Sequence, residues 1–175
     1  YKLELSGIET DNILNPIFFS IVDSAKNSSK NSPFGIDKFK SNLYDSKKMY
    51  KAAGYMGIDM VRIGNDPYLA MNNENYLETH EDLYRDAEYA EGMKTLVGYE
   101  HLGVNWSRKS PDNLLEAYEM NKNLASHYKG RGYAYEIWNE EEAQFYEQPA
   151  DTYASFFKAA AIGISDGDQA AFKMP

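Results

Sequence analysis

Tyr133-Ala-Tyr-Glu-Ile-Trp-Asn-Glu140 decides how the rest of the chain is read. It is an apolar run too short for a helix, and it stops abruptly in Trp138, Asn139 and Glu140. An amide and a carboxyl group at the carboxyl end of a buried strand occupy the place where parallel α/β folds carry their chemistry. The bland alternative is that Glu140, Glu141 and Glu142 only make an acidic first turn for the following segment.

Working outward, the same kind of segment recurs. Pro16–Val22 is uncharged, β-branched and aromatic, which predicts a buried strand. Ile58–Ile63 is a second short, mainly apolar run and Lys94–Glu100 a third, with Tyr133–Trp138 the fourth, each carrying one or two charged residues. Their ends at Val22, Ile63, Glu100 and Trp138 are 41, 37 and 38 residues apart. Between them lie segments of helical periodicity. Asp37 is positioned to cap a helix to about Ala53 with Phe39, Leu43, Tyr50 and Ala53 on one face. Thr79–Asp82 has the form of a capping box before Leu83, Ala87 and Ala90. Ser110-Pro111 predicts an N-cap with proline in the first turn of a helix reaching Gly130. A fourth helix over 151–164 places Tyr153, Phe156, Phe157 and Ala160 together, and 170–174 begins a fifth strand. Asp23–Gly35 reads as a loop, and residues 1–15 as an N-terminal edge segment before a β/α portion over 16–175.

Four β-then-α units predict a parallel sheet covered by helices, in a barrel or a doubly wound arrangement. No Gly-x-Gly-x-x-Gly and no Gly-Lys-Ser/Thr follows any of the strands, which disfavours a nucleotide-dependent doubly wound enzyme. The expected fold is therefore a TIM-type (β/α) barrel, of which 175 residues supply about half, since eight units typically need roughly 250 residues.

Composition sets further limits. Twenty-seven acidic against 18 basic residues give a net charge of −9, contrary to a nucleic-acid partner. No cysteine is present, so disulfides, thiol catalysis and thiolate-ligated zinc are excluded, and the three histidines lack metal-ligand spacing. No metal or other cofactor is expected. No apolar run approaches the ~20 residues of a membrane span. The chain opens at Tyr1 without Met or a signal-like apolar segment, which leads us to expect a cleaved, trimmed or engineered N-terminus. The aromatic share of 14 % includes flat amphipathic rings suited to sugars.

In a barrel the site is built at the carboxyl ends of the strands. There the sequence offers Asp23, Arg62 with Asn65 and Asp66, Glu100 with His101 and Asn105, and Asn139 with Glu140. Glycoside hydrolysis needs a carboxyl group to protonate the leaving oxygen and a second to attack or to activate water. Arg62 is a cation inside an apolar run and needs a partner. Glu136, Trp138 and Glu140 share one strand parity, so on the interior face Glu136 is the expected partner of Arg62. Trp106, on a polar loop, is a better stacking platform than Trp138, which reads as core.

Glu136-Ile-Trp-Asn-Glu140, taken with the Met60-Val-Arg62 strand, resembles the clan A glycoside hydrolases over about residues 16–175. The closest likeness is to family 39, with the family 5 endoglycanases a related alternative. The resemblance implies a retaining mechanism with Glu140 as acid/base and Asn139 on the substrate 2-hydroxyl. It also implies that Arg62 lies beneath the site and that Glu100, His101, Asn105 and Trp106 line substrate subsites. Glu136 and Trp138 would be structural support. The family nucleophile, a second Glu on the seventh strand, has no counterpart here. A second half-barrel, from another copy or a complementary fragment, is therefore expected as partner, with a carbohydrate as substrate and an extracytoplasmic location. The alternative from a different class is a non-catalytic sugar-binding or isolated half-barrel that self-associates.

Overall fold

The computed structural model describes residues 35–37, 43–65, 75, 82–99, 109–139 and 146–175. The segments 1–15 and Pro16–Val22, and Glu100, His101, Asn105, Trp106 and Glu140, lie outside the described residues. The described elements are β1 (Gly35–Asp37), α1 (Leu43–Tyr55), β2 (Met60–Asn65), α2 (Asp82–Ala90), β3 (Lys94–Tyr99), α3 (Leu114–His127), β4 (Gly132–Glu136), α4 (Ala150–Gly167) and β5 (Phe172–Met174).

All neighbouring strands pair in parallel, in the order β1-β2-β3-β4-β5. A doubly wound sheet reverses direction at a switch point. This sheet advances by one strand per unit.

Alternation assigns its two faces. Ile36, Val61, Val97, Tyr135 and Ile137 point toward the helices and join two buried clusters. Met93 and Val61 pack with Tyr50 and Ala53 of α1. Val97, Tyr135 and Ile137 pack with Met120 and Leu124 of α3 and Phe156, Ala160 and Ile164 of α4. The other face carries Asp37, Arg62, Leu96, Gly98, Glu136, Phe172 and Met174, which share registers across the strands. Phe172 is 60 % exposed and Met174 39 %, so this face meets no covering layer among the described residues.

α3 and α4 approach unusually closely, and glycine makes it possible. A Cβ on Gly163 would lie 2.3 Å from the Tyr118 carbonyl oxygen, and one on Gly167 would lie 2.5 Å from that of Lys122. Three of the turns that lead into strands each use a glycine at positive φ, Gly57, Gly92 and Gly130, the left-handed position that closes a helix.

Several sequence expectations change. Gly35–Asp37 is a strand paired with Met60–Arg62, so Asp37 is a sheet residue and no helix cap. α3 is capped by Asn113, whose side chain accepts from Leu115 N at 3.0 Å. Ser110 instead bonds Gln148 and Tyr146, as described below. On α2, Leu83 is 45 % exposed and the buried positions are Arg85 and Glu88. These two form a 2.7 Å ion pair, and Thr95 Oγ1 donates to the same Glu88 oxygen at 2.7 Å. Of the apolar set Ala87 does pack against the α1 cluster; apolar spacing missed Arg85 and Glu88 because a neutralised, hydrogen-bonded pair can be buried where a lone charge cannot. His127 is half-buried, with Nε2 2.8 Å from Asp82, and so ties α3 to the start of α2.

Candidate functional site

The middle of β2 and the carboxyl end of β4 meet across β3 through one side chain, Arg62. Its Nε donates to Glu136 Oε2 at 2.5 Å, and its Nη2 donates to Asn139 Oδ1 at 2.8 Å. Its Nη1 faces the Asp37 carboxylate at 3.4 and 3.5 Å. The pairing of Arg62 with Glu136 read from the sequence is present in the structure. The glycine in β3 makes it possible. Gly98 is in register with Glu136, and a Cβ there would stand 3.2 Å from Glu136 Oε2 and 3.5 Å from the Arg62 guanidinium. A glycine inside a strand commonly marks such a close approach, and Gly98 is the signal the sequence reading left unused. Glu136, through its hydrogen bond above all, holds the Arg62 guanidinium above its ordinary pKa, and burial opposes that shift.

Arginine has donors and no acceptor, so its contact fixes the Asn139 amide. The Oδ1 side faces Arg62, and the Nδ2 hydrogens are left to donate elsewhere. The site thus presents an oriented amide donor, one residue before Glu140, above a guanidinium already engaged on three sides. With Asp37 and Glu136 both ionised, the cluster carries one net negative charge.

Trp138 stands between these groups in sequence but not in space. Its φ is +86°, in the left-handed region that costs a non-glycine residue roughly 1–3 kcal/mol. The strand parity expected of Glu136 and Trp138 is broken there. Ile137 and Trp138 both enter the helix-side core, while Asn139 returns to Arg62. The indole is 4 % exposed, packed edge-on against Tyr146 at 5.0 Å and Phe156 at 5.9 Å between ring centroids. Tyr146 OH lies 3.0 Å from Ser110 Oγ, and Ser110 donates to Gln148 Oε1 from both its backbone N (2.7 Å) and its Oγ (2.8 Å). Burial, the largest cause, raises the Tyr146 pKa against the opposing bond from Ser110. The segments after β3 and β4 are joined here.

Of the residues singled out from the sequence, Arg62, Glu136 and Asn139 come together and Trp138 turns away into the core. Glu140, Glu100, His101, Asn105 and Trp106 lie outside the described residues. Asp37 was missed, because three residues are too few to show alternation. Among the described residues no group of His, Asp and Glu is arranged to hold a metal ion, and no helix is long and apolar enough to cross a membrane. A cleft of about 810 Å³ lies at the opposite ends of the strands, lined by Asp59, Lys94, Arg131 and Asp168 with the three glycine turns. Those are the turns that lead into strands, the end of a parallel α/β layer that reads as structural.

No protein-family model matches the chain, and no curated protein matches it. Among solved structures, a family 39 glycoside hydrolase from the gut symbiont Bacteroides cellulosilyticus WH2 superposes with a TM-score of 0.60. The chain is similar in fold to part of that enzyme. The match covers 80 % of this chain and 30 % of the other, at 13 % identity. The mixed α/β layer described above, a parallel five-stranded sheet with four helices, is consistent with half of a TIM-like barrel.

Proposed function

We propose that this chain forms the acid/base-bearing part of a retaining glycoside hydrolase. The observation that carries the reading is the Asn139 amide, whose Oδ1 is clamped by Arg62 so that its N–H side faces away from the guanidinium, immediately before Glu140 in the sequence. An oriented donor beside a carboxylic acid suits a sugar in which one hydroxyl is held while the neighbouring glycosidic oxygen is protonated. Glu140 is assigned the proton transfer: it protonates the leaving oxygen, then deprotonates water. Asn139 holds the 2-hydroxyl, and Arg62 with Glu136 and Asp37 forms the floor. Glu100, His101, Asn105 and Trp106 are assigned to the substrate subsites. The second carboxylate is supplied by the second half-barrel, from another copy or a complementary fragment, about 5–5.5 Å from the first. A secreted or otherwise extracytoplasmic setting fits a polysaccharide or oligosaccharide substrate. With the remaining strands supplied, Glu140→Gln is expected to lower kcat/KM on an aryl glycoside with a poor leaving group by roughly 10²–10⁴-fold. Unchanged turnover would remove Glu140 from the mechanism.

A second reading, a non-catalytic half-barrel that self-associates, is favoured by the open face bearing Leu96, Tyr133, Phe172 and Met174. Apolar surface of this kind is usually covered. The 175-residue chain by itself is expected to sediment as a concentration-dependent mixture of monomer and dimer. A single monomeric species from micromolar to several hundred micromolar would contradict both the self-association and the need for a second half.

A further inference from the structure

Trp138 has no place in the chemistry just described, yet it holds the most unusual backbone of the described residues. Regular alternation would send Glu136 and Trp138 to the Arg62 face and Ile137 and Asn139 to the helices. The structure keeps Glu136 on the Arg62 face, sends Ile137 and Trp138 inward, and returns Asn139 to Arg62. The left-handed residue is the point at which the order reverses. The residue before the turn is fixed at both of its backbone groups. Ile137 N donates to Met174 O at 2.9 Å, which ties it to β5, and Tyr153 OH donates to Ile137 O at 2.8 Å, which ties it to α4. The indole fills the cage of Tyr146 and Phe156. Tyr146 leans in turn on Tyr153, at 5.5 Å between ring centroids, and on Ser110.

We propose that Trp138 is a positioning residue. Anchored by Tyr146 and Phe156, it holds the reversed turn that delivers the Asn139 amide to Arg62. Its catalytic consequence rests on the glycosidase reading, but its geometric consequence does not. The residue works as an indole-filled lever between the helix layer and the site, and a side chain that fails to fill the cage lets the turn relax toward ordinary strand geometry. Asn139 then leaves Arg62. The Arg62–Glu136 bond, formed before the turn, stays.

That split is the test. In isotopically labelled 175-residue chain, NMR follows two signals: the Arg62 Nε–H resonance, shifted by its bond to Glu136, and the Asn139 side-chain amide pair, assigned by its loss in Asn139→Ser. Trp138→Ala is expected to return the Asn139 pair to the position of a free amide while the Arg62 Nε–H resonance stays within its native envelope. Trp138→Phe is expected to restore most of the Asn139 shift. Should Trp138→Ala fail to fold, Phe156→Leu thins the cage without altering β4 and is read in the same way. An unmoved Asn139 pair, or loss of both signals together in a folded chain, would overturn the proposal. In a barrel-complete enzyme, Trp138→Ala is further expected to match the kcat/KM loss of Asn139→Ala, with the double variant no worse than either single one. If the NMR split holds while neither variant changes turnover, the positioning role stands and the glycosidase reading fails.

Discussion

Arg85→Leu is expected to be among the most destabilising single substitutions in this chain. Glu88 is fully buried and its Oε2 is shared by Arg85 Nη1 and Thr95 Oγ1, each at 2.7 Å. The Tyr50 hydroxyl borders the same carboxylate, and burial first, then the charge of Glu88, raises its pKa. The guanidinium also sits 5.7 Å from the centre of the Tyr128 ring. Without the guanidinium, a carboxylate is left in a site where water cannot reach it. Breaking one partner of such a pair typically costs about 3–5 kcal/mol, a large part of the roughly 5–15 kcal/mol that stabilises an ordinary domain. The urea midpoint should therefore fall sharply. Replacing the whole set, Arg85→Leu with Glu88→Leu and Thr95→Val, should recover much of the loss, because apolar groups of similar shape can occupy such a site at little cost. A triple variant no more stable than Arg85→Leu alone would mean that packing, not the orphaned charge, sets the penalty.

Gly163→Ala is the second large effect. In an exposed helix this change adds up to about 1 kcal/mol of stability. Here the new methyl would meet the Tyr118 carbonyl oxygen at 2.3 Å and Lys122 N at 3.1 Å, both backbone atoms that no rotamer change can move. α4 must slide off α3, opening the shared core around Met120, Leu124, Ala160 and Ile164. Overpacking of this kind costs typically 1–3 kcal/mol and at times more, so the net effect is a loss of roughly 2 kcal/mol. Gly54→Ala in α1 is the internal control. Its added methyl would find nothing nearer than 3.8 Å, so urea denaturation should show that variant level with or above the parent. Equal behaviour of the two variants would mean that the close approach of α3 and α4 is not maintained in solution.

These two sites show where sequence reading works and where it stops. β2, β3 and β4 were legible because buried parallel strands are continuous apolar runs whose flanking helices have a different period. α4 was legible because Phe156, Ala160 and Ile164 repeat at helical spacing. The buried face of α2 was not, because the Arg85–Glu88 pair is buried only once Thr95, Tyr50 and Tyr128 from other elements pack around it. β1 escaped because three residues carry no period. Within the site, the partnership of Arg62 and Glu136 could be argued from the cost of an unpaired charge, and Gly98 was available as a second clue. The turn at Trp138 could not be read. Period-two alternation assumes ordinary strand dihedrals, and a tryptophan at positive φ is stable only because Tyr146, Tyr153 and Phe156, brought in by later elements, hold it there.

The central claim is that β4 ends in the acid/base machinery of a glycosidase. A protonating acid matters greatly when the leaving oxygen is strongly basic and little when it leaves readily by itself. With the remaining strands supplied, the most direct measurement is the ratio of kcat/KM for Glu140→Gln against its parent on two aryl glycosides, one with a poor and one with an activated leaving group. We predict a loss of roughly 10²–10⁴-fold on the first and a far smaller loss on the second. Equal losses on both substrates, or none on either, would contradict the account.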